Sequence, residues 1–304
     1  MSGYDFIRER LNQDRVVILD GAIGTEILRR DVSWHDHQVI YYPDVIRSIH
    51  EDYIKAGADV VTTNTFQLSR RSLSNHFRDL KHMRQIGARD LEERAPKLLR
   101  AAVELVREAR SRAAGDRPVA IAGSVTTLEW CFRPDLSPSG DEARRDYREI
   151  FETMAESGAD LILLETMNGV AEAGVAVEEV KKGGLPVWVS FVSDDHGRLL
   201  SGESIHEAVR ALEPLDPDAI LLNCAPAGDI TKGLRELAGS GFRPVGVYPH
   251  IGRFDPPEWD FTLAEPPETY RDLARRWVEM GARIIGGCCG TTPEHIRLIA
   301  EALK

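Results

Sequence analysis

The sequence predicts a single (βα)8 barrel of the TIM type over residues 1–304, and three observations support that fold class. Eight short apolar runs alternate with amphipathic stretches of helical periodicity. The runs are continuously apolar, as in Leu161–Leu164, which is typical of parallel strands buried on both faces. Gly-Ala-Asp or Gly-Ala-Arg recurs before three runs, where glycine would end a helix in the left-handed conformation. Eight successive units favour a closed barrel over an open, doubly wound sheet.

The predicted strands follow one another along the chain with a helical pattern between them. They are Val16–Asp20, Asp59–Thr65, Val119–Val125, Leu161–Met167, Val187–Val192, Ala219–Cys224, Val245–His250 and Arg283–Cys288. Helices are predicted, for example, at Val45–Ala56 and Pro293–Leu303. The long irregular stretches Thr126–Asp141 and Arg253–Pro267 are expected to form loops at the barrel's rim, without a role assigned to them. Because no linker or low-complexity stretch divides the chain, one domain is predicted.

Composition narrows the class of protein. The residues are 42% hydrophobic and 29% charged, as in ordinary globular proteins. A formal net charge of −11 argues against binding to nucleic-acid phosphates. No apolar run is long enough to cross a membrane, and the charged N-terminus does not resemble a secretory signal, so a cytoplasmic location is predicted. Four cysteines in such a chain indicate metal binding, catalysis or no specialised role, rather than a disulfide framework.

Polar and thiol groups are concentrated where the predicted strands end. In a parallel barrel all the carboxyl ends of the strands share one face, and active sites lie there. Five strand ends carry such groups: Asp20–Glu26, Thr62–Phe66, Glu165 with Thr166, Asn223 with Cys224, and the Gly286–Gly290 segment with its two cysteines. The sequence therefore predicts a functional site at this face.

The clearest chemical signal is a set of three cysteines. Cys224 ends the sixth strand and the adjacent Cys288 and Cys289 end the eighth, with one strand between them in a barrel. Three thiolates around one point suit Zn²⁺, and three protein ligands leave a fourth position open, as in catalytic zinc sites. A vicinal redox pair and simple packing are the alternatives. Cys131 lacks a glycine-bent partner and His250 is a lone histidine, so neither is assigned to the metal.

Five motifs at these strand ends resemble the homocysteine S-methyltransferase family. They occur in the family's order over nearly the whole chain: DGAIGTE at Asp20–Glu26, TTNTF at Thr62–Phe66, LLETM at Leu163–Met167, NC at Asn223–Cys224 and GGCCGTTPEHI at Gly286–Ile296. The combination of Asn-Cys with Gly-Gly-Cys-Cys-Gly is highly specific. In organisation the chain is most similar to the stand-alone members that use S-methylmethionine or S-adenosylmethionine.

The resemblance implies a role for each matching residue. The three cysteines would bind Zn²⁺. Asp20 and Glu165 match the acidic positions that hold the amino group of homocysteine, whereas Gly21 and Thr63 match positions that contact its carboxylate, partly through the backbone. Asn64, in the same motif, is included in the predicted substrate-binding set. The residue chemistry agrees, because two carboxylates suit an ammonium group, and N–H and hydroxyl donors suit a carboxylate.

The implied reaction transfers a methyl group from a small cationic donor to the thiol of L-homocysteine and gives methionine. Zinc would deprotonate that thiol. Cationic donors are often held against aromatic rings, and the candidates are Trp34, Trp130, Tyr248 and Trp259. Betaine is disfavoured because betaine enzymes of the family carry tyrosines where Gln67 and Thr166 stand here. S-methylmethionine or S-adenosylmethionine remains by elimination.

Alternative functions stay open at this point. Thr126–Arg133 and Tyr248–Phe254 depart from the family's usual loops, which leaves both the donor and the acceptor undecided. The acceptor could be another thiol or a selenol, and the donor could be betaine or a separate corrinoid protein, since no cobalamin module is expected after the last helix. A non-catalytic zinc- or thiol-binding protein is the alternative from another class. The oligomeric state is not predicted.

Overall fold

Eight parallel strands form the barrel in the computed structural model, which describes residues 3–32, 38–74, 91–255, 258–260 and 264–304. In chain order the strands are β1 (Val17–Ile18), β2 (Val60–Thr62), β3 (Ala120–Val125), β4 (Leu161–Met167), β5 (Val187–Phe191), β6 (Ala219–Pro226), β7 (Val245–His250), β8 (Arg253–Asp255), β9 (Glu258–Asp260) and β10 (Ala282–Ile285). The barrel order is β1-β10-β7-β6-β5-β4-β3-β2. A parallel bridge between Leu19 and Val60 joins β1 to β2 and confirms the predicted TIM-type architecture.

Helices connect the strands and cover the outside of the barrel. They are α1 (Gly3–Asn12), α2 (Gly24–Arg29), α3 (Gln38–Tyr41), α4 (Pro43–Ala56), α5 (Arg70–Ser74), α6 (Leu91–Ala113), α7 (Gly140–Ser157), α8 (Val170–Lys182), α9 (Ile205–Leu212), α10 (Ala227–Gly239), α11 (Pro267–Glu279) and α12 (Pro293–Leu303), with short 3₁₀ turns at Pro134–Leu136 and Glu213–Leu215. The expected left-handed glycines follow α4 and α7, with φ of 106° at Gly57 and 94° at Gly158. Within the described part of the chain, no helix combines the length and hydrophobicity of a membrane span.

Three barrel strands end two or three residues earlier than predicted. β1, β2 and β10 leave the ladder at Ile18, Thr62 and Ile285, so the polar residues that follow lie in loops above the sheet. The prediction that 253–267 is irregular throughout was wrong. Its first part folds back on itself as the antiparallel pair β8–β9, in which Phe254 is opposite Trp259.

The inside of the barrel is a packed core. Helix α1 closes its amino end, where Tyr4 and Ile7 join the inward-facing residues of the strands. The indole of Trp188 donates a hydrogen bond of 3.3 Å to the Tyr4 hydroxyl inside the barrel. Because side chains fill the interior, the barrel is not a channel, and its chemistry is confined to the carboxyl ends of the strands.

One buried side chain outside the mouth makes stability depend on pH. His50 of α4 is fully buried, neither ring nitrogen hydrogen-bonds to any described residue, and burial lowers its pKa from 6.5 to about 3. The folded protein therefore keeps the ring neutral, while the unfolded chain takes up a proton below pH 6.5. We expect the free energy of unfolding to fall by up to about 1.4 kcal/mol per pH unit from this residue alone as the pH decreases from 6.5 to about 3.

Urea denaturation between pH 7.5 and pH 5 tests this expectation. In His50→Leu, which has a similar volume and no titrating group, the stability should depend less steeply on pH in that range than in the wild type. Equal pH slopes in the two proteins would show that His50 does not set this dependence.

Candidate active site

The structure brings the three predicted cysteines together. The sulfur atoms of Cys224, Cys288 and Cys289 all lie within 4.8 Å of one another, and those of the adjacent pair are 4.0 Å apart. All three are free thiols and partly accessible. Among the described residues, this is the one cluster of histidine, cysteine or acidic side chains with such close ligand atoms. The cluster has the geometry of a metal centre.

Strand register explains why the thiols meet. Leu222 of β6 and Ile285 of β10 both lie level with Val247 of the strand between them. Cys224 is two residues beyond Leu222, within β6, and Cys288 is three residues beyond Ile285, in the loop after β10, so the two residues lie at about the same height. The prediction that a single strand separates the two ends is confirmed.

The three thiols differ in how readily they lose a proton. Hydrogen bonds from the Cys224 and Cys288 thiols hold the pKa of Cys289 well below its ordinary value, whereas hydrogen bonds to Cys288 and Cys289 raise the pKa of Cys224 well above it. Contacts among the sulfur atoms thus favour a thiolate at Cys289 over one at Cys224. Such a set of sulfur atoms is suited to binding a soft or borderline cation, which would replace the shared protons.

The loop that carries the adjacent cysteines is held from several sides. The N–H of Cys288 donates to the Pro249 carbonyl at 2.9 Å, and the Thr291 hydroxyl donates to the Cys288 carbonyl at 2.7 Å. A Cβ on Gly287 would lie 2.4 Å from the Thr291 hydroxyl oxygen, so a side chain does not fit there. The Tyr270 hydroxyl donates to the Gly286 carbonyl at 2.6 Å. The thiols are therefore preorganised by the loop.

Two carboxyl groups face the same space. Asp20 follows β1, is 2% exposed, and accepts a hydrogen bond of 2.8 Å from the Thr62 N–H. Glu165 lies in β4 and accepts a short hydrogen bond from the Ser124 hydroxyl of β3. Burial raises the pKa of Asp20 to about 8, with a contribution from the charge of Glu165, and burial raises the pKa of Glu165 to about 7, with a contribution from Cys288. A cation close to the two carboxyl groups would stabilise their charged forms.

The remaining predicted substrate-binding residues lie around Asp20. The Thr63 hydroxyl accepts from the Ser124 N–H at 3.0 Å and contacts the Thr65 hydroxyl at 2.6 Å, so it braces the end of β2. The buried Nδ2 of Asn64 has no hydrogen-bond partner among the described residues. Gly21 is closely packed, because a Cβ there would lie 2.8 Å from both the Thr291 hydroxyl oxygen and the Tyr53 ring.

Sequence reasoning missed the role of Asn223. Its side chain is fully buried; Oδ1 accepts from the Thr166 N–H at 3.0 Å and the Ser190 hydroxyl at 2.7 Å, and Nδ2 donates to the Thr166 hydroxyl at 2.8 Å. Thr166, which belongs to this network, and Cys224, which follows Asn223 in the chain, both have left-handed backbones, with φ of 57° and 53°. Such conformations cost free energy unless the surroundings fix them. Asn223 thus ties a thiol position to the strand that carries Glu165.

Replacing Asn223 with alanine should disturb both stability and metal binding. Three hydrogen bonds among buried groups are lost, and we expect the free energy of unfolding to fall by about 2–4 kcal/mol. The affinity for zinc, measured by competition with a chromogenic chelator, should fall by about 10- to 100-fold. Asn168→Ala is the matched control, since Asn168 is equally buried but its Nδ2 has no partner among the described residues. Equal zinc affinity in both variants would contradict this role.

Other candidate residues lie outside the thiol cluster or outside the described residues. Cys131 lies outside the cluster, and burial, with smaller contributions from Cys288 and Glu165, raises the pKa of its thiol to about 12. His250 is buried at the end of β7 and is not part of the cluster. Tyr248 is buried with its ring inside the barrel core, next to Glu165. Trp34 and Trp259 have side chains outside the described residues.

The fold and site together define a barrel enzyme with a thiol cluster and a carboxyl pair at its mouth. A sequence model described as homocysteine S-methyltransferase matches residues 17–303, and the chain belongs to this family. It is a methyltransferase.

Individual relatives match over nearly the full length. The chain is 30% identical to homocysteine S-methyltransferase YbgG of Bacillus subtilis, over 97% of this chain and 96% of the relative. It is also 30% identical to selenocysteine Se-methyltransferase of Brassica oleracea var. italica, over 94% and 88% of the two chains. The metallated crystal structure of the homocysteine methyltransferase MmuM from Escherichia coli superposes with a TM-score of 0.80 at 26% identity, covering 97% of this chain and 99% of that one.

Proposed function

We propose that this protein transfers a methyl group from a small sulfonium donor, S-methylmethionine or S-adenosylmethionine, to the thiol of L-homocysteine and so forms methionine, with Zn²⁺ held by Cys224, Cys288 and Cys289. The proposal is based on three converging thiols near two carboxyl groups, the buried Asp20 and the partly buried Glu165. A metal-binding sulfur cluster suits a thiol substrate, and the carboxyl pair suits the ammonium of an amino acid.

The thiol geometry fits zinc. Tetrahedral zinc with Zn–S distances of about 2.3 Å places its sulfur ligands about 3.8 Å apart. The observed 4.0 Å between Cys288 and Cys289, and the 4.8 Å limit for the set, need only small shifts to reach that spacing. When bound, zinc supplies Lewis acidity that lowers the pKa of a coordinated thiol. The chain's own residues then bind and align the two substrates.

Homocysteine recognition follows from the chemistry of the side chains. Asp20 and Glu165 would bind the ammonium, which compensates the cost of holding two carboxylates in a buried place. The unpartnered Nδ2 of Asn64 offers a donor to the substrate carboxylate, as does backbone at Gly21. Thr63 fixes the end of β2 through its bond to Ser124, which in turn holds Glu165. These contacts would aim the substrate sulfur at the thiol cluster.

The methyl transfer balances without a further reactant. The homocysteine thiol gives its proton to solvent, and its sulfur electron pair forms the new S–CH₃ bond. The bond from that methyl to the donor's sulfonium breaks, and its electron pair stays on the donor sulfur, which leaves as a neutral thioether. The protein's contribution is to hold the two sulfur atoms and the methyl carbon in line.

A selenol acceptor is the second candidate. The similarity to the Brassica selenocysteine Se-methyltransferase supports it. A selenolate would meet the same thiol cluster, and an amino acid selenol carries the same ammonium and carboxylate.

The test is methylated product formation by reduced, zinc-loaded protein with each donor and acceptor in turn. The donors are S-methylmethionine, S-adenosylmethionine and betaine, and the acceptors are L-homocysteine and L-selenocysteine. We expect methionine formation with a sulfonium donor. Faster methylation of selenocysteine would establish the second candidate. No turnover with any free donor, despite bound zinc, would overturn the proposed donor class in favour of a corrinoid protein.

A further inference from the structure

Three exposed aromatic side chains lie on two neighbouring loops at the barrel's mouth. Trp130 is 51% exposed and Phe132 39%, on the loop between β3 and α7, and Phe66, on the loop after β2, is 46% exposed. The rings of Trp130 and Phe132 lie 6.2 Å apart between centroids, tilted by 58°. Large apolar side chains left open to water at a site's rim indicate a binding surface.

Topology places these rings at the same end of the barrel as the thiol cluster. The loop follows the carboxyl end of β3. This strand carries Ser124, whose hydroxyl donates a hydrogen bond to Glu165. Between the two exposed rings, Cys131 is 2% exposed, and burial, with smaller contributions from the charges of Cys288 and Glu165, raises the pKa of its thiol. The loop thus inserts its middle residue toward the site and leaves the flanking aromatic rings at the rim.

The loop is anchored in place. Glu172 of α8 is 5% exposed and accepts three hydrogen bonds: from the Leu128 N–H at 2.8 Å, the Tyr147 hydroxyl at 2.8 Å and the Ser137 hydroxyl at 2.6 Å. These bonds hold the loop before and after the aromatic pair. A second contact, from the Gln67 side-chain amide to the Glu129 carbonyl at 3.4 Å, joins it to the loop of Phe66. The aromatic surface is therefore preformed.

We propose that Trp130 and Phe132, fixed by Glu172, form the surface that binds the sulfonium group of the methyl donor at the mouth of the barrel. This inference rests on the proposed function for its donor class. A sulfonium is a soft cation with methyl and methylene substituents, and aromatic faces attract such cations while covering their apolar parts. The donor discharges on transfer, so a face that prefers the cation also favours departure of the neutral thioether.

Direct binding tests the surface independently of turnover. Isothermal titration calorimetry of the zinc-loaded protein measures the affinity for S-methylmethionine and for methionine, which lacks the additional methyl and its charge. In Trp130→Leu, which keeps apolar bulk without a π face, we expect S-methylmethionine binding to weaken about 5- to 30-fold and the preference over methionine to shrink. Trp130→Phe should restore much of it. Leu136→Ala, which truncates an exposed side chain of the same loop, is the control and should bind like the wild type.

The outcomes separate the two proposals. Weakened sulfonium binding in Trp130→Leu, with unchanged zinc content, supports the aromatic surface whether or not the wild type turns over. Equal binding in Trp130→Leu and wild type overturns it, as does a wild type that binds neither S-methylmethionine nor S-adenosylmethionine. The proposed reaction fails separately, if the wild type binds the sulfonium and homocysteine but forms no methionine.

Discussion

Cys288→Ser is expected to lose most of its bound zinc and nearly all methyl transfer. Serine is a hard ligand that is not deprotonated at neutral pH, so it replaces a thiolate poorly in a set of soft ligands. The sulfur of Cys288 lies 4.0 Å from that of Cys289 and within the mutual 4.8 Å of the cluster. Losing an outer-shell partner costs about 10- to 100-fold in metal affinity or activity, so losing a ligand should cost at least a hundredfold.

Zinc content by plasma mass spectrometry and methionine formation are the two measurements for this variant. Cys131→Ser is the matched control, because Cys131 is a buried cysteine at the same mouth but outside the cluster. It should retain its zinc. A Cys288→Ser protein that keeps both zinc and activity would remove Cys288 from the ligand set.

Glu165→Gln is expected to weaken homocysteine binding while leaving zinc in place. Glutamine has the same size and can still accept from Ser124, but it lacks the negative charge that an ammonium requires. Loss of a charge-assisted hydrogen bond costs about 1.5–3 kcal/mol, which corresponds to a rise in KM for homocysteine of about 10- to 150-fold. The KM for the methyl donor should change little.

Steady-state kinetics against each substrate, together with zinc content, distinguish this role from a structural one. Glu178→Gln removes a carboxylate of α8 that is paired with Arg144 on the outside of the barrel, and serves as the control. If Glu165→Gln lost zinc and homocysteine affinity to the same extent, Glu165 would support the metal rather than the substrate.

The strands and the thiol cluster could be predicted because both depend on local pattern plus barrel topology. Buried parallel strands are continuously apolar, and Leu161–Met167 and Val245–His250 were predicted at their observed bounds. Once the strand order is known, only β7 separates the carboxyl ends of β6 and β10, and this arrangement brings the cysteines together. The cysteine chemistry then requires only the residue types and their neighbouring glycines.

The remaining features depend on contacts between distant parts of the chain. Asn223 stands out neither in type nor in spacing, and its role appears only when β4, β5 and β6 are side by side. The left-handed backbones of Thr166 and Cys224 are held by that network and leave no mark in the sequence. Similarly, Glu172 looks like an ordinary helical acid, although it anchors the loop that carries Trp130.

The most direct test of a zinc-held thiol site is to strip the protein with a chelator and titrate zinc back under reducing conditions. Methionine formation from homocysteine and S-methylmethionine is measured at each ratio of zinc to protein. We predict no activity in the stripped protein and a linear rise that levels off at one zinc per chain, in line with the one cluster found among the described residues. Full activity in the metal-free protein would contradict the account.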